Sequence, residues 1–480
     1  MITQSSTLAI VATFGAAMFT ASAVRRRSSG VDLFLVAGRS VGTLVGAMSV
    51  ASTWIWAPAL FIAAQKTFQQ GLPGLMWFTV PNVLCLVMFA FLATRIRKLF
   101  PEGYTLPQYI ASRFDNRTHA IYLFAFLSLQ VCSLGVQLIA GASLLNAMSG
   151  LPYGFGVMAL AVMFTSYSLI DGLRSSIRTD LLQMLLILTG IAVLVPLSVV
   201  KGGGLSTLTK GLSGFNGAYG NLFDPYVAYT FGITVTIGLM SGPVGDQQHW
   251  QRAFAFREGK AFNGYLIGAL IFAVVPLMMS LLGFIAAGNP EAAPAVLAGE
   301  YPAQQVGPEV IRTLLPPWGL VAFMVIILSG LASTGDSALC AGGSLITVDI
   351  YRKYFNPNAS DASVLHVARL SVLGISIAAV GVSLIPGITI LSLFLFYGTL
   401  RSSTLMPTLI ILFKEKVTST GVFWGMLLAM TFGLPVYLLG EMIGNVHLKV
   451  SANIGIVLIS FILPFLSAEV KEKDSLQKNE

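Results

Sequence analysis

Val45 to Phe68 reads VGAMSVASTWIWAPALFIAAQKTF, an apolar run of membrane-crossing length that is interrupted around Ser52 to Pro58. Proline removes an intrahelical donor at that point. A second run, YTFGITVTIGLMSGPVGDQQHWQRAF, covers Tyr229 to Phe254 and breaks at Ser241-Gly242-Pro243, where glycine also lowers helix propensity. Either break alone is compatible with a simple proline kink in a membrane helix. The pair says more. The two runs lie five spans apart and cross in opposite directions. Interrupted segments at matching positions of two inverted halves point to a transporter with its binding site between them.

The rest of the chain supports a membrane setting. Of its 480 residues, 55% are hydrophobic and 10% charged, with mean hydropathy +0.80; soluble domains carry about a quarter charged residues. Period-two alternation in short blocks is absent, which argues against a β-barrel. The expected fold is therefore all-α and polytopic. Spans are predicted at about 6–24, 41–68, 73–96, 119–148, 153–170, 178–200, 227–249, 261–287, 316–348, 367–386, 388–413, 418–440 and 452–468. Of the 28 Lys and Arg, all but six then fall on one side of the bilayer, including Arg95, Arg97, Lys98, Arg252 and Lys414. Lys66, Lys201, Lys210, Arg312 and Lys449 fall on the other side, and Arg401 falls within a span. Such asymmetry marks the cytoplasmic face and places the N-terminus outside and the C-terminus inside.

The net charge of +8 reflects these loops and implies no nucleic-acid partner. Ser6 to Val24 is followed, not preceded, by Arg25-Arg26-Arg27, so it reads as a retained span and not a signal peptide. Cys85, Cys132 and Cys340 sit in apolar spans as small packing residues. No nucleotide loop, metal-binding histidine pair or nucleophile–base arrangement appears, so neither an ATP-driven machine nor an enzyme is expected. The organisation expected is an extra span and basic loop over 1–40, a five-span repeat over 41–201, an extracellular loop over 202–226, a second five-span repeat over 227–413, and two further spans with a tail over 414–480.

The chemistry concentrates in LSGLASTGDSALCAGGSLITVDIY, Leu328 to Tyr351. On a helix Ser333, Asp336 and Ser337 share one face and Thr334 flanks it, while Gly330 and Gly335 admit neighbouring backbones. Hydroxyl oxygens in such a group suit a hard cation such as sodium, and carbonyls freed near Ser52 and Ile55 would complete its shell. The bland alternative is hydroxyls bonded back to their own helix, but a carboxylate at membrane depth costs roughly 2.5–3.5 kcal/mol and demands a partner. Three are open for Asp336: a bound sodium ion, Asp180 through a shared cation, or Arg401 through an ion pair that would be structural or a gate. Left unpaired, Arg401 would suit an anionic solute. Asp180 also reads as an acid opening a helix beside Arg178. Trp54 and Trp56, with the backbone of Ser241, Gly242 and Pro243, are placed to line a small solute cavity. Asp246 to Arg252 read as an ordinary polar helix end.

Four stretches, GAMSVASTWIWAPALF, SIRTDLLQ, DQQHWQRAFAFR and ASTGDSALCAGGSLITVDIY, resemble the sodium:solute symporter family over about residues 30 to 420. The resemblance implies a LeuT-like inverted repeat of five plus five helices, flanked by one extra N-terminal and two extra C-terminal helices. It implies a main sodium site on the backbone of Ser52, Ile55 and Gly330 and the hydroxyls of Ser333 and Thr334. A second sodium site, found in some members, would fall on Asp180, Ser333, Asp336 and Ser337. Asp336 stands where the family usually has a small hydroxyl residue, so a proton is the alternative coupling ion. TWIWA, DQQHWQRA and STG look most similar to the urea-active carriers, although those have an aliphatic residue at the place of Arg401. The implied activity is sodium-coupled import of a small polar solute, urea first, with an amino acid or carboxylate as the alternative. A transporter-like sensor or a channel is the rival from another class. No cofactor is implied beyond sodium, the partners are the solute and the lipid bilayer, and nothing bears on oligomeric state.

Overall fold

The computed structural model describes residues 3–23, 30–388, 390–414 and 417–477. The Arg25–Arg27 cluster lies outside the described residues. The chain is an all-helical, multi-pass membrane protein. In chain order its main helices are α1 (Gln4–Ala23), α2 (Thr43–Trp54), α3 (Ala57–Leu99), α4 (Asn116–Ser149), α5 (Tyr153–Asp171), α6 (Leu173–Lys201) and α7 (Ile233–Ser241). They continue with α8 (Gln247–Ala255), α9 (Ala261–Gly288), α10 (Pro317–Leu345), α11 (Asp361–Ser383), α12 (Ile390–Phe413), α13 (Ser419–Met442) and α14 (Val446–Gln477).

Among the described residues, 10 helices are long and apolar enough to cross a bilayer. One of them, α3, has 43 residues, more than twice the roughly 20 that one crossing requires. It turns at Gly71, whose φ of 56° favours glycine, and a Cβ there would meet the Leu212 carbonyl at 2.2 Å. That turn falls between the spans expected at 41–68 and 73–96. The helix α10 runs through the middle of the bundle, with Ile326 to Leu345 all buried. It packs against α2, α4 and α6, and continues into a wider-wound segment over Ile346–Phe355.

The first break is narrower than expected. Helix α2 ends at Trp54, only Ile55 and Trp56 leave helical geometry, and Pro58 sits in the first turn of α3, where its missing N–H costs nothing. The second break runs from Gly242 to Asp246, and the Asp246 side chain caps α8 by accepting from the Gln248 N–H at 3.0 Å. The span expected to begin at 178 begins instead at Leu173, so Asp180 lies inside α6 and is not an acid at its first turn.

Candidate functional site

The end of α2 and the middle of α10 meet as an oxygen cage. Ending a helix at Trp54 leaves carbonyls without intrahelical partners. The Thr334 hydroxyl faces two of them, Thr53 at 3.2 Å and Ile55 at 3.4 Å, and the Gly330 carbonyl of its own helix at 3.3 Å. A Cβ at Gly330 would lie 3.0 Å from the Ile55 oxygen, so the missing side chain is what lets the two backbones approach. One hydroxyl proton cannot serve three acceptors, so carbonyl lone pairs here exceed the donors that face them. The Ser52 carbonyl accepts from the Ile55 N–H at 3.1 Å at the same turn, and the Ser333 hydroxyl stands on the neighbouring face bonded to Asp180. Opposite the cage, the first free N–H of α3, at Ala57, is taken by Gln137 Oε1 of α4 at 3.2 Å.

One helical turn away lies a second polar cluster, and here the sequence reading is corrected. Arg252 stands in the last turn of α8 but is not solvated; its side chain is 2% exposed and reaches into the bundle. Its Nη2 donates to Ser337 Oγ at 2.7 Å, to Asp180 Oδ2 at 2.9 Å and to Ser176 Oγ at 3.3 Å. Its Nε donates to Ser49 Oγ at 2.9 Å and its Nη1 to the Gln248 carbonyl at 3.2 Å. Asp180 also accepts from Ser49 at 2.5 Å. Asp336 accepts from Ser176 at 2.6 Å, Tyr167 at 2.9 Å and Thr179 at 3.3 Å. The residues grouped as a possible second cation site, Asp180, Ser333, Asp336 and Ser337, are thus brought together, with a guanidinium among them. Two carboxylates face one guanidinium, so with both ionised the cluster carries a surplus negative charge.

The Asp336–Arg401 pair, one of the three partnerships open for Asp336, does not form. Arg401, 3% exposed, donates through Nη2 to Asp246 at 2.8 Å, because the second break delivers that carboxylate directly against α12. Gly245 makes the approach feasible, since a Cβ there would lie 3.0 Å from the Arg401 Cα. The Tyr397 ring stacks on the guanidinium, its centroid 3.5 Å from Cζ, with the Trp56 and Trp54 rings at 5.5 and 5.8 Å. Asp246 further accepts from Tyr397 at 3.1 Å and from Gln130 at 3.2 Å.

A cavity of about 630 Å³ opens above this group. Trp56, Tyr397 and Arg401 form part of its lining, and Gln65, Lys66, Glu441 and Lys449 stand further along it. Trp54, Ser241, Gly242 and Pro243 do not line it. The Trp54 indole N–H is spent on the Asn82 carbonyl at 3.2 Å, and the Ser241 hydroxyl on the Ile237 carbonyl at 2.6 Å. Gly242 is where the Trp54 ring lies, since a Cβ there would sit 2.2 Å from that ring. These residues form the packed wall behind the cavity. At the start of α8, Gln247 bonds the Tyr104 carbonyl at 2.9 Å and accepts from the Leu106 N–H at 3.2 Å. His249, expected at a polar helix end, is buried edge-on between Trp54 and Phe89.

Ser49, Ser176, Thr179, Tyr167, Gln137 and Tyr397 complete these clusters and were not singled out from the sequence. A partial signal existed for Asp246, the carboxylate inside the second break and therefore at a binding depth.

Residues 34–429 match the sodium:solute symporter family. The chain is 25% identical to the urea-proton symporter DUR3 of Oryza sativa subsp. japonica, over 91% of this chain and 66% of that one. It is 25% identical to the probable urea active transporter 1 of Schizosaccharomyces pombe, over 81% of this chain and 62% of that one. It therefore spans somewhat under two thirds of the length of those relatives. A sodium/pantothenate symporter of Escherichia coli is 26% identical, over 87% and 86% respectively. Among solved structures, an outward-open, substrate-bound sodium-coupled sialic acid symporter superposes with TM-score 0.79 at 16% identity, over 97% of this chain and 98% of that one. The nucleobase-cation-symport transporter Mhp1, closed on bromovinylhydantoin, superposes with TM-score 0.56 at 16% identity, over 91% and 94%. The fold is thus the LeuT-like one.

Proposed function

This chain belongs to the sodium:solute symporter family, and on that premise we propose that it is a secondary active symporter moving a small polar solute with one sodium ion by alternating access. The family is one of transporters, not enzymes. The observation that carries the reading is the Thr334 hydroxyl set among the carbonyls of Thr53, Ile55 and Gly330. Sodium takes that place, bound by the carbonyls of Ser52, Ile55 and Gly330 and the hydroxyls of Ser333 and Thr334. The surplus negative charge of Asp180 and Asp336 over Arg252 attracts it. Since Arg252 already fills the second cluster with a permanent positive charge, one ion moves per cycle.

The remaining architecture follows the same reading. Thirteen crossings arise when α3 is counted twice at Gly71 and α12 and the segment broken at Gly242 are added to the apolar helices. The repeats cover about 41–201 and 227–413, and the N-terminus faces outside. The cavity end bearing Lys66 and Lys449 is then the outer mouth, and the packed wall below Trp54 keeps the inner side shut. Sodium entering along an inside-negative potential gains about 2.3 kcal/mol per 100 mV. A proton on Asp336 is the second reading, favoured by the complete burial of that carboxylate beside Asp180 with no cation directly on it among the described residues. Urea belongs in any solute panel because two relatives carry it in their names.

The test is radiolabelled uptake into proteoliposomes under a sodium gradient, a proton gradient, or neither. Sodium-driven accumulation with a Hill coefficient near one for sodium is expected, and Ser333→Ala with Thr334→Ala abolishes it in folded protein. Unaltered sodium dependence in that double variant would reject the cage.

A further inference from the structure

We infer that the solute carries a carboxylate, which Arg401 receives at the inner end of the cavity. The inference rests on the symport reading and narrows its solute. Three features point the same way. The Arg401 Nε–H is buried and finds no hydrogen-bond partner among the described residues, so a charged donor is left over where water is scarce. An unsatisfied charged donor is costly, and an incoming acceptor removes that cost. Next, the described lining holds three cations, Lys66, Arg401 and Lys449, against one carboxylate, Glu441. Lys449 is bonded to Glu441 at 3.0 Å and Arg401 to Asp246 at 2.8 Å, which leaves Lys66, lying over the Phe231 ring at 4.4 Å, as the lining cation with no carboxylate on it among the described residues and gives the cavity a positive sign. A cleft lined by one sign of charge concentrates ions of the other.

The third feature separates an anion from urea. Urea brings four N–H donors and needs acceptors. The carboxylate nearest the inner end is Asp246, and it is already engaged by Arg401, Tyr397, Gln130 and the Gln248 N–H. The one described carboxylate beside the inner end is thus taken, while the unpartnered acceptors of the lining, Gln70 Oε1 and Thr234 Oγ1, are neutral. A carboxylate supplies two acceptor oxygens to a guanidinium in matching geometry. Tyr397, stacked on one face of Arg401, and Trp56, 5.9 Å from it, offer apolar surface to a short or flat body attached to that carboxylate.

Carboxylate and amide isosteres of equal size decide the matter. Acetate, pyruvate and benzoate are compared with acetamide, benzamide and urea in sodium-gradient uptake by proteoliposomes and in quenching of the protein's tryptophan fluorescence. At least one carboxylate is expected to be accumulated and to quench, with its amide isostere weaker by about tenfold or more. Arg401→Leu leaves Asp246 without its cation, so the paired variant Arg401→Leu with Asp246→Asn is also made; once shown folded by thermal unfolding, it is expected to lose carboxylate uptake. Sodium-driven uptake of urea or an amide, with the carboxylates neither transported nor quenching, overturns the anion site and leaves symport standing. Carboxylate quenching without any gradient-driven uptake would instead support the anion site and remove the symport reading.

Discussion

Two buried arginines, Arg252 and Arg401, sit beside the two breaks and behave differently. Arg252 spends its N–H groups on Ser49, Ser176, Ser337, Asp180 and a backbone carbonyl, all from packed helices. Arg401 has one carboxylate, three aromatic faces, an unpaired Nε–H and a cavity in front of it. A cation with every donor answered by the protein holds that protein together. A cation left partly unanswered at a cavity is available to something that arrives. Burial alone does not distinguish them; the donor count does.

Several substitutions break or sharpen that contrast. The largest effect is expected at Arg252→Gln, which leaves Asp180 and Asp336 facing each other without a cation. Removing one partner of a buried pair costs about 3–5 kcal/mol, to be seen as a large fall in thermal stability of the purified protein and lost uptake. A stability equal to the parent's would erase the distinction between the two arginines. Next, a double-mutant cycle between Asp246 and Arg401 is expected to show a coupling of about 0.5–3 kcal/mol in unfolding measurements, while Asp336 with Arg401 adds within about 0.5 kcal/mol. Coupling in the second pair would restore the contact that the structure rejects. The smallest change is expected at Ser176→Ala, which removes the hydroxyl shared by Asp336 and Arg252 at a cost of about 1.5 kcal/mol. Sodium-driven uptake should survive it, because Ser176 lies outside the oxygen cage.

The all-helical, multi-pass character and the two breaks were legible because hydropathy, proline and glycine act locally. The approach of the turn after Ser52 to the face bearing Ser333 and Thr334 was also legible, through the freed carbonyls and the hydroxyls, while Gly330 as part of an ion site came only from the family resemblance. The partner of each charge was not. Arg252 follows a break on the basic side, and counting positive charges by position assigns it to a loop; only the arrangement of α6, α8 and α10 places it beside Asp180. A hint was present in the charge count, since Asp180 and Asp336 within spans had only Arg401 to oppose them. For Arg401 the sequence offered Asp336 as one of three open pairings of that acid, and Asp246 read as part of a polar helix end. Tyr397 and Gln137 carry no sequence signal beyond being polar groups in apolar helices.

At the basic face the two broken helices are joined by their main chains. Val41, just ahead of α2, donates to the Ala255 carbonyl at 3.1 Å and accepts from the Arg257 N–H at 2.9 Å, a short parallel bridge with Phe256. The Phe256 ring lodges in the gap made by Gly46 and Gly264, where Cβ atoms would approach it to 2.1 and 2.3 Å. A rivet of this kind transmits push and pull without stretching. The start of α2 and the end of α8 are thereby tied at this face, so a tilt of one broken helix would be carried to the other.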